Sequence, residues 1–137
     1  MTLRYYLDTS IWMDYYEERE DPSKNIGYIA FKLLSFLLAS KSKILVSNFL
    51  LRELETAYSI DIIRGIFFPF QNLVIKVEIS ESQREEAKSM AEERNLPKGD
   101  AIHAILARDN NAVLVSRDKH FQLLKDICEI VKPEELT

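Results

Sequence analysis

The chain has a single cysteine, Cys128, so no disulfide can form within it. Its apolar neighbours Ile127 and Ile130 make that thiol read as a small buried hydrophobe. Glycine and proline are scarce, three and four among 137 residues, and no linker, repeat or low-complexity tract interrupts the chain. With 47% apolar residues, this composition excludes disorder as the main state and predicts one domain over 1–137. Positive charge is not in surplus, since 18 Lys and Arg stand against 22 Asp and Glu, a net charge of −4. The simplest nucleic-acid binder, a small domain with a strongly basic surface, is thereby excluded. An enzyme that meets nucleic acid through bound metal is not. Long hydrophobic runs are also missing. Ile29 to Ala39 is interrupted by Lys32 and falls short of the ~20 residues of a membrane span, so it reads as a core helix. Met1 to Leu7 lacks the basic-then-apolar layout of a signal peptide, and the expected location is the cytoplasm.

What is present is an alternation of short apolar strands with helices. Leu3 to Leu7, Ile44 to Val46, Leu73 to Ile79, Ala112 to Val115 and Ile127 to Val131 read as strands. Helices are predicted from Ile11 to Glu18, Ile26 to Ala39, Phe49 to Ala57, Ile60 to Phe68 (ended by Pro69) and from Ser82 to Arg94. A further helix starts at Asp100, with Ala101, Ala104 and Ile105 facing inward, and a short one starts at Asp118. In the second helix Ile29, Leu33, Phe36 and Leu37 share one face. Ser47-Asn48 caps the third, and Ser82-Gln83-Arg84-Glu85 fits a capping box. Charged residues and Pro22 make Glu17 to Lys24 a loop. Apolar strands that alternate with helices predict an α/β domain with a parallel sheet covered on both faces.

In such a sheet, ligands bind beyond the carboxyl ends of the strands. Asp8 follows the first strand directly, and Ser116-Arg117-Asp118 follows the fourth. Asp100 lies at a helix start, and Glu53 one to two turns into the helix after the second strand. These four carboxylates are distant in sequence but belong to the same sheet edge. Packed together they repel, and a hard divalent cation offsets that repulsion. Mg²⁺ or Mn²⁺ in an all-oxygen site suits phosphodiester hydrolysis by activated water, with no Ser, Cys or His nucleophile. Each acid also has an ordinary reading. Asp8 and Asp118 are good helix caps, Asp100 suits a helix N-terminus, and Glu53 suits a surface.

At these residues the chain resembles the PIN-domain family, and within it the VapC-type toxins of toxin–antitoxin pairs. The matching segments are Tyr6-Leu7-Asp8-Thr9-Ser10, Val46 through Leu54, Gly99-Asp100-Ala101-Ile102-His103-Ala104, and Leu114-Val115-Ser116-Arg117-Asp118 through Phe121. They occur in the family's order across nearly the whole chain. The resemblance implies a three-layer α/β/α sandwich with a central parallel sheet of about five strands. It implies a metal-dependent ribonuclease, the toxin of a type II pair, with Mg²⁺ or Mn²⁺ as cofactor, RNA as substrate, and an antitoxin and a second copy as partners. Carried over residue by residue, Asp8, Asp100 and Asp118 are metal ligands, and Glu53 binds a second metal or orients a water. Ser10 and Ser116 position that cluster or the phosphate, or simply act as caps.

The chain departs from the family at His120, where many relatives carry another acid, so a fifth acidic ligand is not expected there. His120 reads as an exposed helix residue, and His103, one turn beyond Asp100, as a group behind the ligands. Asp14 and Glu55 read as surface acids. Arg52, Lys98, Arg108, Arg117 and Lys119 lie close in sequence to the motif acids; they contact the RNA backbone or pair with surface acids. The aromatic stretch from Trp12 to Tyr16 and the helix at Ile60 to Phe68 serve core packing or, as the resemblance implies, partner contact. Alternatives are an RNA-processing nuclease of the same fold, an inactive interaction module, and a haloacid-dehalogenase-like phosphatase with Asp8 as nucleophile. That last class carries a second Asp two residues on, where this chain has Ser10.

Overall fold

A computed structural model describes residues 3–18, 23 and 25–137. The predicted loop from Glu17 to Lys24 lies mostly outside the described residues. The chain runs through β1 (Arg4–Leu7), α1 (Thr9–Glu17), α2 (Ile26–Ala39), β2 (Lys43–Ser47), α3 (Asn48–Glu55) and α4 (Ile60–Phe67). It continues through β3 (Val74–Val77), α5 (Glu81–Arg94), α6 (Lys98–Asp109), β4 (Val113–Val115) and β5 (Ile130–Val131). Short 3₁₀ turns occupy Phe68–Phe70, Lys119–Leu124 and Pro133–Glu135. Among the described residues no helix is long and apolar enough to cross a membrane.

All five strands are parallel, in the order β3-β2-β1-β4-β5, with helices on either side: the three-layer arrangement expected from the sequence. The central strands are buried on both faces, which is why they read as unbroken apolar runs. Tyr5, Tyr6 and Leu7 of β1 and Ile44, Leu45 and Val46 of β2 are all buried. The edge strands β3 and β5 are only half-buried and shorter than their apolar runs suggest. Cys128 accordingly lies just outside β5 and is half-buried, not a core residue as the sequence suggests; that burial still pushes its thiol up to about 11.

The strand order matters for function. From β1 the chain builds outward through β2 and β3, then crosses back to add β4 on the other side of β1. The reversal opens a crevice beyond the carboxyl ends of β1 and β4. Backbone bonds hold its walls, with Asp8 N–H donating to the Val115 carbonyl at 3.1 Å and Ser116 N–H to that of Val131 at 3.0 Å.

Several helix starts differ from the sequence reading for local reasons. Asp8 caps α1 by accepting from Ile11 N–H, so the helix begins at Thr9, ahead of Ile11. The capping box of α5 is Ser80 with Gln83, two residues before the predicted one. Asn48 Oδ1 takes the Ile79 N–H at 3.0 Å, which draws the strand exit toward α3 and leaves Ser80 at the cap. In α2 the buried stripe is Ala30, Leu33, Leu34 and Leu37, while Phe36 is 40% exposed. Apolar residues surround this helix, so periodicity alone does not choose the face; packing against α1 and the Pro133–Glu135 turn does. Trp12 is fully buried, its ring 4.5 Å from that of Phe67, and belongs to the core. Leu37→Ala should cost about 2–5 kcal/mol in urea unfolding. Phe36→Ala should cost less than about 1 kcal/mol, and equal losses would contradict this packing.

Candidate active site

The crevice is built from residues that end strands and cap helices. Asp8 is 5% exposed. Its Oδ1 accepts from Ile11 N–H at 3.2 Å and from the Ser10 hydroxyl at 2.7 Å, and its Oδ2 accepts from the Ser116 hydroxyl. Ser116 Oγ in turn accepts from Asp118 N–H at 3.0 Å. Asp118 then caps the Lys119–Leu124 turn through His120 N–H, 2.9 Å from its Oδ1. Both serines give their protons to Asp8, so they fix the carboxylate while acting as turn residues.

Glu53 enters from α3 and is gripped from behind. His103 Nε2 lies 2.7 Å from Glu53 Oε1, the Thr9 hydroxyl donates to the same oxygen, and His103 Nδ1 lies 2.7 Å from the Tyr6 hydroxyl. Tyr6 is also 2.7 Å from Ser47 Oγ, which accepts Leu50 N–H as the cap of α3. With His103 neutral, one assignment satisfies every atom: Ser47 donates to Tyr6, Tyr6 to Nδ1, and Nε2 to the carboxylate. A doubly protonated ring would reverse the first two bonds and leave the Ser47 hydroxyl proton without an acceptor. Burial opposes the charge on Glu53, but the bonds from His103 and Thr9 outweigh it and hold this carboxyl below the usual range. Burial pushes the Tyr6 hydroxyl far up, so it stays protonated. Gly99 leaves room for the Glu53 carboxylate. A Cβ there would stand 3.3 Å from Glu53 Oε2 and 3.6 Å from the Phe49 ring.

Asp100 lacks the hydrogen-bond donors that hold Asp8 and Glu53. Its Oδ2 is buried and has no hydrogen-bond partner among the described residues. Burial first, and then the charge of Asp118, push its carboxyl up to about 6. The four predicted acids Asp8, Glu53, Asp100 and Asp118 line one open cavity of about 460 Å³, together with Thr9, Ser10 and His103. An oxygen-rich donor set with an orphaned buried oxygen fits a hard divalent cation. His120, set aside in the sequence reading, stands beside this cavity, its Nδ1 3.3 Å from Asp118 Oδ1 and 3.5 Å from Asp100 Oδ2.

Of the two roles open to the basic residues near the motif acids, Arg117 and Arg108 take the pairing one. Arg117 is bound to Asp14 at 2.6 and 3.0 Å, and Asp14, read as a surface acid, is 1% exposed. A buried carboxylate needs a partner charge, and Arg117 supplies it. Arg108 is held by Glu86 and Asp109. Lys98, Arg52 and Lys119 are exposed, and Glu55 is exposed as read. Tyr6 and Thr9 lie in a matching segment, but the sequence gives neither a role. Thr9 adjoins Asp8, and Tyr6 shares its side of the strand two residues earlier, but only tertiary contact gives either a role.

The family model described as "PIN domain" matches residues 5–127. Among solved structures the chain is similar to VapBC2 from Rickettsia felis bound to a DNA fragment from their promoter, with TM-score 0.66, 18% identity, and 95% of this chain and 98% of that one covered. It is similar to VapBC-1 from nontypeable Haemophilus influenzae, with TM-score 0.65, 18% identity, and 96% and 99% covered. It is also similar to FitAcB from Neisseria gonorrhoeae, with TM-score 0.61, 14% identity, and 95% and 98% covered. No curated protein matches it in sequence.

The raised carboxyl of Asp100 has a measurable consequence in metal-free protein. Between its ordinary value of 3.8 and about 6, the folded chain holds a proton that the unfolded chain has released. The stability contributed by that protonated group is whole below pH 3.8 and lost as pH rises through 6. In EDTA, Asp100→Asn should therefore be more stable than wild type at pH 8, by about 1 kcal/mol after discounting for solvent screening. The gap should close below about pH 4 in urea melts. A gap independent of pH would contradict the assignment.

Proposed function

The chain belongs to the PIN-domain family, and from that premise we propose that it is a divalent-metal-dependent ribonuclease acting as the toxin of a type II toxin–antitoxin pair. The observation that carries this reading is the convergence of Asp8, Glu53, Asp100 and Asp118, from four separate segments, on one cavity at the point where the sheet reverses its order. Asp8, Asp100 and Asp118 are the residues to hold Mg²⁺ or Mn²⁺. When bound, the cation supplies Lewis-acid activation of water and stabilises charge on the phosphorus centre and leaving oxygen.

The chain's own groups do the rest. Ser10 and Ser116 orient Asp8. Glu53 is kept ionised, with Oε1 occupied by His103 and Thr9, so Oε2 is the atom that accepts a hydrogen bond from the attacking water. Lys98, Arg52 and Lys119, exposed and next in sequence to the acids, supply the positive charge that an RNA backbone requires. Ser116 and Ser10 reach phosphate only by giving up Asp8, and Arg117 only by leaving Asp14, which makes Lys98 the better substrate contact. The two VapBC structures above support an antitoxin as partner. Exposed Tyr28 and Phe31 of α2, and Ile60 and Phe68 at the ends of α4, offer apolar surface for an antitoxin or a second copy. The aspartyl-phosphatase alternative lacks its second acid, since Ser10 occupies that place and donates to Asp8.

The test is cleavage of RNA by the purified chain in Mg²⁺ or Mn²⁺. EDTA should abolish it, and Asp8→Asn, which retains a helix-capping oxygen, should lower it by about a hundredfold or more. A homogeneous preparation that cleaves no RNA in either metal, or a variant as active as wild type, overturns the reading.

A further inference from the structure

We propose that His120 is itself a metal ligand, joining Asp100 and Asp118 of the acidic cluster to give a mixed oxygen–nitrogen site that prefers Mn²⁺ to Mg²⁺. The inference rests on the nuclease reading for the presence of a cation, and adds a ligand and a selectivity to it.

The turn at Lys119–Leu124 carries the argument. Phe121 and Leu124 are buried, anchoring one side of the turn in the core. His120 lies on the other side, its side chain 53% exposed, with its backbone N–H held by Asp118 Oδ1. That places the ring over the acids. Nδ1 stands 3.3 Å from Asp118 Oδ1 and 3.5 Å from Asp100 Oδ2, and one ligand atom from each of the three residues lies within 4.8 Å of the others. Both separations exceed an ordinary N–H···O contact of about 2.9 Å. They match the spacing of donors around one ion, since bonds of roughly 2.0–2.2 Å place neighbouring ligand atoms about 3–3.6 Å apart.

A second observation points to the same spot. The Asp100 oxygen that faces His120 is buried and has no hydrogen-bond partner among the described residues. Polar atoms this well buried are nearly always satisfied. Trp12 Nε1 is also bare but lies in the apolar core, whereas the Asp100 oxygen lines an open cavity beside two other potential ligands. The three residues bring two carboxylates and one neutral imidazole. Mg²⁺ takes hard oxygen donors and keeps its waters, so a ring nitrogen adds little to its binding. Mn²⁺ shares the preference of Mg²⁺ for carboxylates but, as a first-row transition-metal ion at the weak end of the affinity order, gains more than Mg²⁺ from a ring nitrogen.

The full-length chain loaded with Mn²⁺ tests this by pulsed electron paramagnetic resonance, which detects ¹⁴N bonded directly to the ion. The chain has only two histidines, so the source of a signal can be assigned. Wild type should show the imidazole coupling, and His120→Ala should lose it while keeping its circular dichroism spectrum. In titrations His120→Ala should weaken Mn²⁺ binding about tenfold or more and leave Mg²⁺ binding nearly unchanged. His120→Asp, which returns an oxygen donor, should narrow the preference for Mn²⁺. Mn²⁺ bound without ¹⁴N coupling, or coupling that persists in His120→Ala, overturns the assignment of His120 and leaves the nuclease reading standing. Failure of wild type to bind Mn²⁺ any better than Asp100→Asn overturns both.

Discussion

Four carboxylates around one cavity repel one another, and the surrounding structure meets that repulsion in two different ways. Asp8 and Glu53 are surrounded by donors, from Ser10, Ser116 and the α1 backbone on one side and His103 and Thr9 on the other. Asp100 has no such support, and its carboxyl rises to about 6 under burial and the charge of Asp118. Glu53 and Asp100, whose carboxyls are pushed in opposite directions, divide the site by role. Glu53 is kept ionised and Asp8 is held in one orientation, while the other end of the cavity carries the uncompensated carboxyl. The unsatisfied Asp100 oxygen lies at that end, beside His120.

The same side chains hold the fold and the site. Asp8 caps α1, Ser47 caps α3, and Asp118 caps the turn that carries His120. Ser47 also anchors the polar chain that runs through Tyr6 and His103 to Glu53, joining β2, β1, α6 and α3. The links through Tyr6 are buried, where an unmade hydrogen bond costs more than a made one gains, and the last, to Glu53, is half-buried. Disturbing any link therefore alters helix ends and carboxylate orientation together. Gly99 belongs to this system through space alone, because a larger residue would crowd the Glu53 carboxylate.

Overall charge proves a poor guide to a nucleic-acid partner in this chain. The surplus of four negative charges equals the number of acids lining the cavity, so the remainder of the chain is formally neutral. Much of its arginine is tied up in pairs, with Arg117 on Asp14, Arg108 on Glu86 and Arg94 on Asp126. What faces the cavity is the distribution of charge at one sheet edge, set by strand order.

The amino-acid sequence determined the alternation of strands and helices, the parallel sheet and the four acids at its carboxyl edge. Those features rest on local signals: apolar runs of strand length, helical spacing, and Asp or Ser at element ends. Its errors have a common physical origin. Periodicity shows that a helix has an apolar face, but in α2 Phe36 and Leu34 exchange roles because the neighbouring elements select the face. Asp14 looks like a surface acid until Arg117, 103 residues later, is folded against it. His103 and His120 look ordinary until Glu53 and Asp100 arrive from other elements. Tertiary structure alone decided which polar groups are satisfied and which oxygen is left bare, because hydrogen bonding and electrostatics act across space between residues that the chain keeps far apart.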